Sequence, residues 1–309
     1  MVGAYVFGIF PRSERLIEAT RRKTKDLSLI IDEETEKLIG LQKRADLSYV
    51  EDPLLGWDDM LRPYTVNFKG LEINGINRFF ETNTFYRVPL VKDEISCDGK
   101  ITIKNIHLKR LKAGGKPPLG VLPEPLTFAL MCRDENYGKL EELTEALAMA
   151  LSREARTLTK HGFKFLVLKA PYLSFIKDLS LFDIAFNGIK KIRAAFKGPI
   201  MLHTYFKDIS DRLDRLFDLP VDGLGLDTFN TKLESLEGHS FKLLALSVID
   251  GYNTKIETVD EVVQLIKFAD LKLSYKELYL TNNVDLEYVP QVFALRKVKV
   301  LGKALKKVV

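Results

Sequence analysis

The chain has 309 residues, of which 46% are hydrophobic and 29% charged, and a mean hydropathy of −0.05, which suits a globular protein with one large α/β barrel or two ordinary domains. No basic opening runs into a long apolar stretch and nothing approaches a transmembrane span, so a membrane role is not expected and the cytoplasm is the expected location. The net charge of +5 is carried partly in short runs, Arg21-Arg22-Lys23, Lys190-Lys191 and Lys306-Lys307, without interleaved aromatics, which argues against nucleic acid as a partner.

Taken in order, residues 2–10 form a short apolar run ending at Gly8 and Pro11, as a buried parallel strand with its exit turn would. Helical spacing follows over 13–25 and 32–44, with Ser13 and Asp32 placed as caps. Asp52-Pro53 breaks the pattern. Residues 61–118 read as a β-rich insertion, with alternating runs at 64–68 and 100–106, turn signals at Asn74-Gly75 and Asp98-Gly99, and a Gly114-Gly115-Lys116-Pro117-Pro118 end. Strand-length apolar runs then recur at 119–122, 164–169, 199–203, 222–226, 241–248 and 277–281, between helical segments at 138–160, 181–197, 209–217, 258–268 and 290–307. Strands alternating with helices argue for a parallel sheet with right-handed crossovers. Counting the first run there are seven strands, and LSLII at 27–31 is the place for an eighth. The expected fold is therefore α/β, a (β/α)8 TIM-type barrel spanning 1–309 as one domain, with 61–118 inserted after the first βα unit. An open doubly wound sheet competes, but no Gly-x-Gly-x-x-Gly follows the first strand.

The stretch 52–89 is too charged for plain core and too aromatic for a solvated loop. It holds Trp57 beside Asp58 and Asp59, Arg62 before Pro63, and Arg78, Phe79, Phe80, Glu81, Asn83, Phe85, Tyr86 and Arg87. Arginine forks among carboxylates and aromatic planes either lock a buried polar network or present a bidentate anion site. In a barrel the carboxyl ends of the strands carry the chemistry. There the sequence offers Arg12 and Arg15, then Glu124, Lys169, His203, Asp227, Asp250 and the Asn282, Asn283, Asp285 cluster. Arg12 and Arg15, three apart at a helix start, share a face that suits a carboxylate or phosphate, or they pair with Glu14, Glu18 or the acids at 58 and 59. Glu124 and Lys169, on neighbouring strands, suit a compensated bridge. A Schiff-base lysine would need a depressed pKa that nothing nearby in sequence supplies. Asp227 and Asp250 have the look of caps, and 282–285 that of a turn. His107, His161 and His239 stand singly and read as surface residues. Cys97 and Cys132 are too isolated for a disulfide framework or metal clip.

The 52–89 stretch, together with GIFPRSERLIEA at 8–19, resembles the amino-terminal half of cobalamin-independent methionine synthase, above all the short archaeal forms whose halves are separate chains. The matching features are a Gly-x-x-Pro-Arg opening, a Trp-Asp-Asp…Arg-Pro segment and an Arg-Phe-Phe-(acid)-x-Asn-Thr-Phe-Tyr-Arg segment. Glutamine at only 42, 264 and 291 adds a bias reported for heat-adapted proteins. The resemblance implies that the arginine-rich opening holds the polyglutamate tail of a folate methyl donor. It also locates departures. Where the catalytic half of the family has His-x-Cys for zinc, this chain has His203-Thr204-Tyr205, and a phenol with a pKa near 10 does not replace a thiolate ligand. The late turn that bears the family's last zinc cysteine reads TNNVDLE here, Asp-Glu-Pro has become Lys169-Ala170-Pro171, and Gly-Pro has become Glu124-Pro125.

The resemblance thus implies a zinc-free accessory or folate/pterin-tail-binding subunit that supports methyl transfer to homocysteine by a separate catalytic chain. On that reading no tightly bound cofactor is expected, and a methyl-folate or methyl-pterin is the small-molecule donor. The candidate substrate-binding set is Arg12, Arg15, Trp57, Asp58, Arg78, Asn83, Arg87, Glu124, Lys169, His203 and Asp227. Two alternatives stay open: a stand-alone methyltransferase with an atypical site, and a non-enzymatic scaffold barrel whose aromatic and arginine surface at 52–89 binds a protein.

Overall fold

The computed structural model describes residues 2–113 and 115–308. Gly114, in the glycine-rich end expected for the insertion, lies outside the described residues. The first part of the chain forms β1 (Val2–Ala4), α1 (Glu14–Arg22), α2 (Leu27–Arg44), α3 (Arg62–Thr65), β2 (Lys69–Arg78), β3 (Phe85–Ser96), α4 (Ile101–Lys104) and α5 (Leu108–Lys112). Next come β4 (Leu119–Pro123), α6 (Pro125–Leu130), β5 (Arg133–Asp134), α7 (Leu140–Lys160), β6 (Phe165–Lys169), α8 (Leu181–Ala195) and β7 (Ile200–Thr204). The rest is α9 (Leu213–Phe217), β8 (Gly223–Leu226), β9 (Ser240–Ile249), α10 (Val259–Lys272), β10 (Ser274–Asn282) and α11 (Gln291–Val308). The chain is α/β, and all seven strand-length runs are strands. It divides into two compact units: the chain up to Gly56 with Ile106–Leu119 and everything from Gly225, and Trp57–Asn105 with Gly120–Leu224.

In the first unit β10 lies between β1 and β9, parallel to both, with Ala4 opposite Leu280 and Leu280 opposite Leu246. Helix α11 packs on β1 and α2. It buries Ala294, Lys297, Val298, Leu301 and Leu305, a stripe of three- and four-residue steps along one helical face. Thr258 opens α10 with a capping box closed by Glu261. Ser13 caps α1 as expected, accepting from the Leu16 amide at 3.0 Å.

In the second unit β6 and β7 are parallel and buried at every residue, as strands covered on both faces must be. The Glu124 amide donates to the Lys169 carbonyl at 2.9 Å, so the end of β4 runs beside the end of β6. Strands β2 and β3 form an antiparallel hairpin, and the two-residue β5 adds to β3 in parallel.

Several local expectations give way. LSLII at 27–31 is the first turn and a half of α2, not a strand: Ile30, Glu34, Leu38 and Leu41 are buried at helical spacing, and a short apolar run alone cannot distinguish the two. Asp32 is therefore inside α2 and caps nothing. The runs at 64–68 and 100–106 contain α3 and α4, because Pro63 sits at a helix start and the carboxylate of Glu154 takes the amides of Ile101 and Thr102 at 3.0 and 2.8 Å. Asn74-Gly75 is a register irregularity inside β2, and the chain reverses instead at 79–84. The Tyr5 amide still donates to the Leu280 carbonyl at 3.1 Å, and the first run then leaves regular pairing because side chains take the amides of Phe7, Gly8 and Ile9.

Candidate functional site

The arginine-bearing opening is built from its backbone outward. Three successive amides of the buried run Phe7–Ile9 are captured by three side chains: Phe7 donates to Asn282 Oδ1 at 3.0 Å, Gly8 to Glu51 Oε2 at 2.8 Å and Ile9 to Asp285 Oδ1 at 2.7 Å. Asn282 returns its Nδ2 to the carbonyls of Phe7 and Val284, both at 2.8 Å. Gln42 holds Glu51 in place by exchanging two bonds with its backbone, at 2.8 and 2.9 Å. Buried amides need partners, and here they are carboxylates and a carboxamide from elements far away in sequence. The 282–285 cluster is therefore more than a local turn.

This frame delivers Pro11, Arg12 and α1. Arg12 donates its Nε to the Leu55 carbonyl at 2.9 Å. Arg15 points to solvent, with 53% of its side chain exposed, and pairs with Glu33 at 2.8 Å rather than with Glu14, Glu18 or the acids at 58 and 59. Asp227, also in this unit, is buried and organises a local turn, accepting from the Phe229 amide at 3.1 Å and Asn230 Nδ2 at 2.7 Å. Asp250 accepts from Tyr252 N and Asn283 Nδ2 at 2.9 and 3.0 Å. The capping expectation for these two aspartates agrees with that geometry.

In the second unit Glu124, Lys169 and His203 end adjacent strands and are all buried. Lys169 is in register with His203, and the Ala170 amide donates to the His203 carbonyl at 2.8 Å. Glu124 and Lys169 do not form the expected bridge. The Glu124 carboxylate instead caps α6, accepting from the amides of Leu126 and Thr127 at 2.9 and 2.6 Å. Burial pushes its pKa up to about 7 against the opposing pull of those amides. Burial, and then the charge of Lys169, push His203 down to about 3, so its imidazole is neutral across the physiological range. In this row Glu124 is the carboxyl whose proton comes off near neutral pH.

The 52–89 candidates separate. Trp57 is buried, donates its indole N–H to the Asn105 carbonyl at 3.0 Å and meets Tyr64 edge-on at 5.8 Å, so it is core. Asp58 is 57% exposed and lies 3.5 Å from Arg62, while buried Asp59 takes the closer bond of that guanidinium at 3.0 Å. Arg78 spans the hairpin tip, giving its Nε to the Thr82 carbonyl at 2.6 Å and Nη2 to Asn83 at 3.1 Å. Arg87 is exposed on β3. The tip itself packs inward: the Phe80 ring lies 4.8 Å from Tyr172, 4.9 Å from Phe175 and 5.4 Å from Phe206, on the loops that leave β6 and β7. This aromatic cover was not foreseen, although the Phe79-Phe80 pair was its signal. His107 also departs from a surface role, since it sits between Asp52 and Asp32 at 3.0 Å from each.

A zinc site needs thiolate, imidazole or carboxylate donors that converge. Among the described residues no three His, Cys, Asp or Glu side chains converge to hold a metal ion. His203 has a lysine charge beside it and Thr204 and Tyr205 after it, so the residues present at this position do not fit zinc and no step is derived through one.

A parallel α/β protein with buried polar side chains at its strand ends is the class that fold and site define. The model of the cobalamin-independent synthase N-terminal domain matches residues 69–273. The chain belongs to that family. A methionine synthase of Pyrococcus furiosus is 23% identical over 97% of this chain and 91% of its own length. A 5-methyltetrahydropteroyltriglutamate–homocysteine methyltransferase of Nitratidesulfovibrio vulgaris is 25% identical over 70% of this chain, which spans 30% of that longer protein. Among solved structures, a B12-independent methionine synthase from Shewanella sp. W3-18-1 superposes with a TM-score of 0.78 at 18% identity, covering 92% of this chain and 89% of that one. That likeness is one of fold.

Proposed function

We propose that this methionine synthase-related chain is an accessory subunit. The opening around Arg12 and Arg15 receives the anionic tail of a methyl-folate or methyl-pterin donor, and a separate chain, working with it in the cytoplasm, activates homocysteine. The observation that carries the reading is the capture of the Phe7, Gly8 and Ile9 amides by Asn282, Glu51 and Asp285. A loop so held presents Arg12 from a fixed backbone, as recognition of a carboxylate requires. On this reading Glu124, Lys169 and His203 are substrate-binding residues of the second unit, with Trp57, Asp58, Arg78, Asn83 and Arg87 as their support and rim within that unit, and Asp227 is a substrate-binding residue of the first. The same reading takes residues 1–309 as one barrel-type domain with 61–118 as its insertion.

The test is to co-express the chain with a zinc-bearing methionine synthase chain, purify through a tag on one, and assay methyl transfer from mono- and triglutamyl methyltetrahydrofolate. Co-purification, with a preference for the triglutamyl donor that Arg12→Ala reduces, is expected. A counterpart fully active alone, or one tightly held zinc per chain in this protein purified by itself, would overturn the proposal.

A further inference from the structure

Asn-Gly occurs twice in the chain, at Asn74-Gly75 and at Asn187-Gly188. Both asparagine side chains reach solvent, so the two pairs differ in their backbone surroundings. β2 is the edge of its three-stranded sheet. Within it Ile73 lies opposite Pro89 and Ile76 opposite Arg87, so Asn74 and Gly75 together face the single residue Val88 and bulge from the ladder. Gly75 is exposed, and a Cβ on it would meet nothing within 4 Å. Asn187 and Gly188 lie instead in the middle of α8. Gly188 is buried there, and a Cβ on it would come 3.0 Å from Pro125 and 3.4 Å from Thr144.

An asparagine side chain is open to attack by the backbone nitrogen that follows it, and glycine favours the attack because it has no Cβ to screen that nitrogen and turns freely. The backbone must still leave its regular conformation to bring the two atoms together. In α8 the Gly188 amide is committed to the carbonyl four residues back and its Cα is closely packed, so it is held away. At the bulge the ladder is already broken and the space is open. We infer that Asn74 is a site of spontaneous deamidation and that Asn187 is not. The Gly75 nitrogen bonds to Asn74 Cγ, the Cγ–Nδ2 bond breaks, and ammonia leaves with the Gly75 amide proton, closing a cyclic imide. Water then opens the imide. Cleavage at Cγ–N gives aspartate, and cleavage at the backbone carbonyl gives isoaspartate, in which the chain runs through the side chain. Both products add a carboxylate to β2, and isoaspartate also adds a methylene to its backbone. The reaction needs only water and is independent of the folate-tail role.

The test is to hold the folded full chain in heavy-oxygen water at mildly alkaline pH and read the tryptic peptides 70–78 and 178–190 by mass spectrometry. Only products formed during the incubation carry the heavy oxygen, and fragmentation separates Asn74 from Asn77 in the first peptide. Asn74 should convert at least about tenfold faster than Asn187, the ratio that a local opening cost imposes on the helical site. In urea, where neither site is structured, the two rates should converge. Gly75→Ala, which has room for its Cβ, should slow Asn74 and leave Asn187 unchanged. No labelled product at position 74, equal rates in the folded chain, a difference that persists in urea, or indifference to Gly75→Ala would overturn the inference.

Discussion

Phe80 and Phe206 both hold left-handed backbone, with φ of 51° and 79°, and their rings meet at 5.4 Å. Two bulky residues in that region store strain that only surrounding contacts sustain. The contacts here are Tyr172, Phe175 and Phe79, so the hairpin tip is fixed over the loops that leave β6 and β7. Phe80→Ala should lower stability by about 2 kcal/mol in urea unfolding and raise amide exchange in 171–175. Unchanged exchange there would contradict an anchoring role.

Gly8 has φ of +90°, and a Cβ on it would lie 2.0 Å from Asp285 Oδ1, so both conformation and space demand glycine. Gly8→Ala should cost roughly 3 kcal/mol or more, because it displaces a carboxylate that must then leave the Ile9 amide unsatisfied. Gly75→Ala, where nothing lies within 4 Å, is the matched control and should stay within about 0.5 kcal/mol.

The raised pKa of Glu124 predicts a direction for pH dependence. Its folded value, about 7, exceeds the reference of 4.5, so the native state holds the proton over that interval. The contribution of this group is fully present below about 4.5 and is lost as pH rises through about 7. Glu124→Gln, which stays neutral, should therefore gain on the wild type as pH goes from 4.5 to 7.5, by up to a few kcal/mol. Parallel unfolding curves over that interval would refute the shift.

His107 gives the complementary case at a base. Its hydrogen bond to Asp52 is the chief cause of a raised pKa, with the charges of Asp52 and Asp32 adding to it against burial. Its stabilisation is full below the ordinary histidine value of 6.5 and is lost as pH climbs through the raised one. His107→Gln should cost on the order of 1 kcal/mol at pH 5.5 and less at pH 9, as read from thermal unfolding at both.

Trp57 and Phe85 both belong to the aromatic 52–89 stretch, and the structure parts them. Trp57 is 5% exposed and Phe85 55%. Trp57→Ala should lose about 3–5 kcal/mol, whereas Phe85→Ala should stay within about 0.5 kcal/mol, in the same denaturation assay. A large loss at Phe85 would show that its ring is covered in solution.

The alternation of apolar runs and helical spacing determined the α/β class by itself, because both periods are local properties of the chain. The seven strands, α7, α8, α10 and α11, and the Ser13 cap were all legible that way. The resemblance of 8–19 and 52–89 gave the family for a similar reason, since those motifs are contiguous. The tertiary structure alone decided which polar residues meet. The bonds from Phe7 and Ile9 to Asn282 and Asp285 span 275 and 276 residues, Glu124 turned from Lys169 to its own helix start, and LSLII became helix because α2 buries one face of it. Burial and long-range partnership are not periodic in sequence, so residue type named the candidates and only packing gave each its partner.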